Sequence, residues 1–589
     1  MKKVILGVFL GLLLALGLLV GGVWSLVRLA GGGETQLAAN TLLVLDWSGP
    51  LSGHQVHPAD AGLGTPVTLS SVTAAIRDAA TRPEIKALLI DRHLELKREY
   101  LEEIGAAVEV FRQAGKPVLA HLELGVGSSY LAACLADSVG MSPSASGGLL
   151  LPGPGVSLIY MGQALARLGI RVHVLHEGEA KGYGEQYAQQ EMSPAVRSNL
   201  GGLVNDLLDE ELGWIGARRG LQAADLKVEL SRPERLWLAP REARQLGLVD
   251  TLISRADWEE ALEARYPGAE RLSISDWIGS RTQLPKTGGD KGPRLEDHVA
   301  VLWAEGGIVP GLSSSAQVQI QSRAMIEEIR ALKDADAVKA VVLRVESPGG
   351  SALAAEEIYQ ELRKLGEKKP LWVSAGPVAA SGGYYLAAPA RRIWVSPFSV
   401  VGSIGVVALV PDLSAAAGKL GLAPQTIQPL PGGRLGNLGS PVEAATLTAL
   451  RLRMGEIYHE FRSRVTAHRP LSEAQLAPIA GGRVWSGRRA VELGLADDLG
   501  GLQDCLDSLQ ASLGGPALPV VDYPEQETLL GLLLAGHLKA RDLLPGAGLG
   551  RLATQLGGGE FLRQVEEDPM RLQDPRWTLR AELPLMLAR

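Results

Sequence analysis

The chain has 589 residues, 46% hydrophobic and 21% charged, with 58 Lys and Arg against 65 Asp and Glu. At about 150 residues per domain this length allows roughly two to four domains, each with its own core. The net charge of −7 argues against a nucleic-acid binder, and two cysteines, Cys134 and Cys505, exclude a disulfide framework and a four-cysteine zinc site.

The N-terminus opens with Lys2 and Lys3, and the 24 residues from Val4 to Val27 carry no charge. That run is long enough to cross a hydrocarbon core of about 30 Å as a helix. No small-x-small cleavage site closes it, because Val27, Arg28 and Leu29 stand where one would fall. The reading is an uncleaved anchor over 1–30. The lysines before the span place the N-terminus inside and the body on the extracytoplasmic side.

Among the ten histidines there is no His-Glu-x-x-His. His54 with His57 reads as loop, and His173 with His176, in an apolar run, as strand packing. No metal and no cofactor is expected.

The remainder reads as one unit written twice. Ile76-Arg77 and Ile85-Lys86-Ala87-Leu88-Leu89-Ile90 return 253 residues later as Ile329-Arg330 and Val338-Lys339-Ala340-Val341-Val342-Leu343. Lys116-Pro117-Val118 returns as Lys369-Pro370-Leu371, and Trp237 with Leu246-Gly247-Leu248-Val249-Asp250 as Trp485 with Leu493-Gly494-Leu495-Ala496-Asp497. So long a period means domain duplication, not a solenoid. The first unit spans 40–280, a Gly/Pro/Lys-rich linker 281–297 and the second unit 298–514. The extension 515–589 has no counterpart, and Leu529 to Leu534 within it is too short to span a bilayer.

In the second unit, Val338–Val345, Leu371–Ser374 and Ile393–Val395 read as buried strands, and Ala352–Leu365 as a helix with apolar residues at helical spacing. Strands alternating with helices predict an α/β fold with parallel sheets.

Three motifs there can carry chemistry. Ser347-Pro348-Gly349-Gly350 joins a strand to a helix, and its glycines let backbone N–H groups approach an anion. Ala380-Ser381-Gly382-Gly383-Tyr384-Tyr385 puts a hydroxyl at a helix N-terminus, where negative charge is favoured. Gly402-Ser403-Ile404-Gly405 brackets another serine with glycines. Taken singly, each also fits an ordinary turn or N-cap. At the 253 offset Gly349 and Gly350 face Leu96 and Lys97, and counting back from Tyr-Leu-Ala-Ala, Ser381 faces Val126. The first unit therefore lacks both the glycine loop and the hydroxyl.

Together, Ser-Pro-Gly-Gly, Ala-Ser-Gly-Gly-Tyr-Tyr and Gly-Ser-Ile-Gly in a duplicated chain behind an anchor resemble the long form of the signal peptide peptidase A family, over about residues 40–510. The resemblance implies a tandem duplication of a ClpP/crotonase-like domain and a serine endopeptidase with a Ser–Lys dyad. Its nucleophile falls on Ser381 and its general base on Lys181. Ser403 falls on a serine that holds the lysine, and Gly349, Gly350 and Gly382 on the oxyanion hole.

Where the family continues its lysine with Ser-Ala and then Glu-Pro-Phe, this chain has Gly182-Tyr183-Gly184-Glu185-Gln186-Tyr187. Met192-Ser193-Pro194 then matches the family's own Met-Ser-Pro. The second unit has Gly433-Arg434 in the corresponding region, and arginine cannot act as a base.

A lysine base must be neutral, so Glu177, Glu179 and Glu185 must point away from it. The resemblance further implies released signal peptides and unfolded hydrophobic segments as substrates. It implies a tetrameric ring anchored in a bacterial cytoplasmic membrane, with the body on the periplasmic side. Two other readings stay open, an inactive scaffold of the same fold and a crotonase-type acyl-CoA enzyme, which would usually use glutamates as acid and base.

Overall fold

The computed structural model describes residues 37–524 apart from 48–50, 55–66, 91–93, 95, 281–295, 313–317, 426, 428 and 430–438. The apolar run Val4 to Val27, almost all of the linker, Gly433-Arg434 and the chain beyond Pro524 lie outside the described residues. Among the described residues no helix is long and apolar enough to cross a membrane.

Each half is built on one sheet of parallel strands. In the first half their spatial order is Thr251–Leu252, Ser138–Met141, Val118–Leu122, Ile85–Ile90, Thr41–Val44 and Glu270–Ser273. In the second it is Asp498–Leu499, Arg392–Val395, Leu371–Ala380, Val338–Ser347, His298–Glu305 and Val520–Tyr523. The two series correspond strand for strand. Continuous apolar runs suit such strands because both faces are covered. Val338–Ser347 is buried almost throughout. The helix Ala352–Lys368 covers it with Ala354, Ala355, Ile358, Leu362 and Leu365, one stripe at helical spacing.

Two expectations need correction. The repeat does not end at Gly514: Val520–Tyr523 pairs with His298–Glu305 as Glu270–Ser273 pairs with Thr41–Val44. Those two outer strands share almost no residues, because a partly exposed outer strand constrains few side chains. The alignment of the two halves is also off by one at the serine. Tyr130 donates to Leu248 O at 2.7 Å and Tyr384 to Leu495 O at 2.7 Å, so Tyr130 corresponds to Tyr384, not Tyr385. Ser381 therefore faces Gly127.

The halves are joined in three ways. Arg171–Glu177 of the first pairs antiparallel with Val406–Asp412 of the second. Phe398, Val400 and Val484 of the second half enter the core of the first. Arg344, 1% exposed, donates to Glu103 at 2.6 Å and Glu346 at 3.0 Å, while Tyr100 donates to Glu346 at 2.7 Å. Buried ions so completely partnered fix a relative placement more than they add stability. His54 lies in a loop as expected, but buried at this junction, stacked on Trp303 with ring centroids 4.9 Å apart.

Candidate active site

Among the described residues, Ser381 and Ser403 are the two non-glycine residues with positive φ, at 54° and 52°. Side chains rarely adopt such a backbone, and it persists only where the surroundings enforce it. Here the long strand Leu371–Ala380 delivers Ser381, with ψ −120°, onto the N-terminus of the helix Gly382–Ala387. Its N–H donates to Gly402 O at 2.8 Å, and the N–H of Ser403 donates to Arg483 O at 2.6 Å.

Both serines turn toward one amine. Lys181, 3% exposed, places Nζ 3.0 Å from Ser381 Oγ, 2.9 Å from Ser403 Oγ and 2.8 Å from Ser403 O. Burial alone draws its pKa from the usual 10.5 down to about 7, since desolvation disfavours the ammonium. Among the described residues no carboxylate opposes the shift. Glu185 instead accepts from Ser193 N at 3.2 Å and from Tyr160 at 3.5 Å.

The segment around the lysine fits closely. The N–H of Ala180 donates to Gly481 O at 2.9 Å, and a β-carbon on Gly482 would lie 2.5 Å from the Lys181 backbone. On Gly182 it would lie 2.6 Å from Val196 and on Gly184, at φ 95°, 2.4 Å from Leu409. The glycines that depart from the family pattern thus sit where this packing leaves no room for larger residues.

The glycine loop lies against Ser381. A β-carbon on Gly349 would come 2.6 Å from Gly382 N and 2.8 Å from Ser381 Cβ, and one on Gly382 would come 3.3 Å from Gly350 N. The three glycines sequence reasoning named are therefore together, with one adjustment. The N–H of Gly349 donates to Ser347 Oγ at 3.1 Å, while Ser347 Oγ donates to Gly306 O at 2.7 Å. Gly349 shapes the turn, which leaves the N–H groups of Gly350 and Gly382 as the donors beside Ser381. Ile308 brackets Gly350, donating to Gly349 O at 2.9 Å and accepting from Ser351 N at 2.8 Å. That ladder turns Gly350's own N–H away from Ile308.

Sequence reasoning missed Ser347 as an anchor of this turn and Gly481-Gly482 as the floor under the lysine. The Ser-Pro-Gly-Gly spacing could have given the first; Gly481-Gly482 has no signal beyond the doublet itself. Among the described residues no group of three or more His, Cys, Asp or Glu could hold a metal ion.

A strained serine, a buried amine at hydrogen-bond distance and a glycine turn against the serine are the parts of an acyl-transfer site. The comparison with known proteins agrees. The model of peptidase family S49 matches residues 110–265 and 363–514, together more than half of the chain. The chain belongs to peptidase family S49.

The two matched regions fall in the two halves, Lys181 in the first and Ser381 and Ser403 in the second. This S49 serine peptidase is 28% identical to Protease 4 of Haemophilus influenzae over 85% of its own length and 83% of the relative's. It is 28% identical to Protease 4 of Salmonella typhi over 93% and 90% of the two lengths. It is 27% identical to the chloroplastic serine protease SPPA of Arabidopsis thaliana, over 74% and 64%.

Proposed function

We propose that this S49 peptidase is an endopeptidase in which Ser381 is the nucleophile and Lys181 the general base. The observation that carries the proposal is the 3.0 Å approach of a buried, readily neutral amine to a strained serine hydroxyl. Neutral Lys181 takes the Oγ proton as Ser381 attacks the peptide carbonyl. The N–H groups of Gly350 and Gly382 receive the developing oxyanion. The ammonium, held by Ser403, returns the proton to the leaving amine, and Lys181 then activates the water that cleaves the acyl-enzyme.

The substrates we assign are released signal peptides and other unfolded hydrophobic segments. The resemblance to the signal peptide peptidase A family supports this, as does Leu353 beside the glycine turn; Val378, Ala379 and Ala380, which lead into the serine, pack into the core instead. Leu353, 61% exposed three residues after Gly350, is free to meet an apolar side chain. A cleavage profile favouring charged side chains at the scissile bond would remove this assignment. We also assign to each half a ClpP/crotonase-like fold, to Val4–Val27 a membrane anchor with the body on the periplasmic side, and to the assembly a tetrameric ring. Protease protection in spheroplasts and the mass of the detergent-solubilised complex test the last two.

A serine-reactive phosphonate applied to wild type, Ser381→Ala and Lys181→Ala tests the chemistry. Labelling of wild type alone is expected; equal labelling of all three would overturn the dyad.

A further inference from the structure

The helix Pro194–Arg219 buries a stripe formed by Val196, Asn199, Leu203 and Leu207. Three of these are apolar, and Asn199 is the exception at 7% exposure. A carboxamide in such a position is costly unless its hydrogen bonds are made. Both are made across the junction of the halves: Nδ2 donates to Val484 O at 3.0 Å, and Oδ1 accepts from Val484 N at 2.9 Å. Val484–Ser486 is the outer strand of its sheet, so the amide takes the place a neighbouring strand would have.

What Val484 belongs to gives this pairing its meaning. Four successive residues each touch the site. Gly481 O accepts from Ala180 N, and Gly482 has no room for a side chain against Lys181. Arg483 O accepts from Ser403 N, and Val484 is paired with Gly402, whose carbonyl accepts the N–H of Ser381.

We infer that Asn199 is a positioning residue: by holding both backbone groups of Val484 it fixes the segment Gly481–Val484, and through it the meeting of Lys181 with Ser381 and Ser403. Asn199 touches no reacting atom. It ties the helix that follows the lysine loop to the strand that supports both serines. The inference rests on the dyad proposed above.

The test compares Asn199→Leu, which completes the apolar stripe, and Asn199→Asp, which keeps the shape but loses the donor, with Arg488→Ala. The last removes a cross-junction ion pair, Arg488 with Glu210 at 2.8 Å, that touches none of the four residues. Displacing catalytic groups by about 1 Å costs up to about 100-fold. The expectation for both Asn199 variants is a kcat lowered at least about 10-fold, KM within about twofold, and a raised midpoint of the acid limb of kcat/KM as water reaches Lys181. Arg488→Ala keeps wild-type kcat and midpoint.

The inference is overturned if either folded Asn199 variant keeps the wild-type kcat and midpoint, or if Arg488→Ala reproduces the loss and the shift. Full activity in Ser381→Ala or Lys181→Ala would instead remove the dyad itself, which separates the two failures.

Discussion

Gly127 and Ser381 occupy the same turn in the two halves, with φ and ψ of 45° and −118° in one and 54° and −120° in the other. Each precedes a six-residue helix. The backbone geometry is thus common to both units, and the half without a hydroxyl fills it with the residue that adopts it at least cost. The half with the hydroxyl holds a β-carbon in a conformation that disfavours one.

Stability and activity should therefore separate at this position. Ser381→Gly and Ser381→Ala are both inactive, but the glycine variant is the more stable. Relief of about 1–3 kcal/mol of strain outweighs the smaller entropy cost of a glycine in the unfolded chain. Denaturant unfolding of the two variants side by side measures the difference, and an alanine variant as stable as the glycine one would contradict it.

The pH dependence of turnover follows from the amine. Lys181 acts as base only when neutral, and its pKa is about 7. Accordingly kcat/KM rises tenfold per pH unit on the acid side, bends near pH 7 and levels off above it. A midpoint near 10 would mean that the ammonium is solvated.

The same group makes folding pH-dependent. The native state holds Lys181 at about 7 against a usual 10.5, so between these values the unfolded chain binds more protons and stability rises with pH. Lys181→Met lacks this dependence. Its stability relative to wild type is greatest at pH 7 and below and falls by on the order of 4 kcal/mol toward pH 10.5. Urea titrations of both proteins at pH 7 and pH 10 measure the trend.

Gly349→Ala tests the turn beside the serine. Its β-carbon would press on Gly382 N at 2.6 Å, from a residue at φ 102°. Backbone cannot yield there without moving Gly382 N, a proposed oxyanion donor, and loss of one such donor costs about 100- to 1,000-fold in kcat. The acid-limb midpoint stays near 7, because the lysine is untouched. A kcat within a few-fold of wild type would show that the turn is not critical.

The parts of this molecule that chain-local patterns reveal are those that local physics determines. The β-branched run of Val338–Ser347 and the apolar stripe of Ala352–Lys368 announce themselves, because burial on both faces or on one dictates every residue. The Tyr384-Tyr385 doublet offers two equivalent alignments, and only the bond from Tyr384 to Leu495 O decides between them. Val520–Tyr523 escapes notice because an outer strand needs little from its side chains. Lys181 is legible through resemblance and the following Met192-Ser193-Pro194. Its meeting with Ser381, 200 residues away, is a fact of tertiary packing. Asn199 reads as one more polar residue on a helix until Val484 is seen beside it.

The antiparallel ladder between Arg171–Glu177 and Val406–Asp412 has a temporal consequence. A polypeptide made from its N-terminus presents the amine early, but the hydroxyl emerges 200 residues later and the partner strand and the floor at Gly481-Gly482 later still. Until then the proposed dyad is unassembled, and the growing chain is inert toward itself and its neighbours. It becomes dangerous only when it is nearly complete.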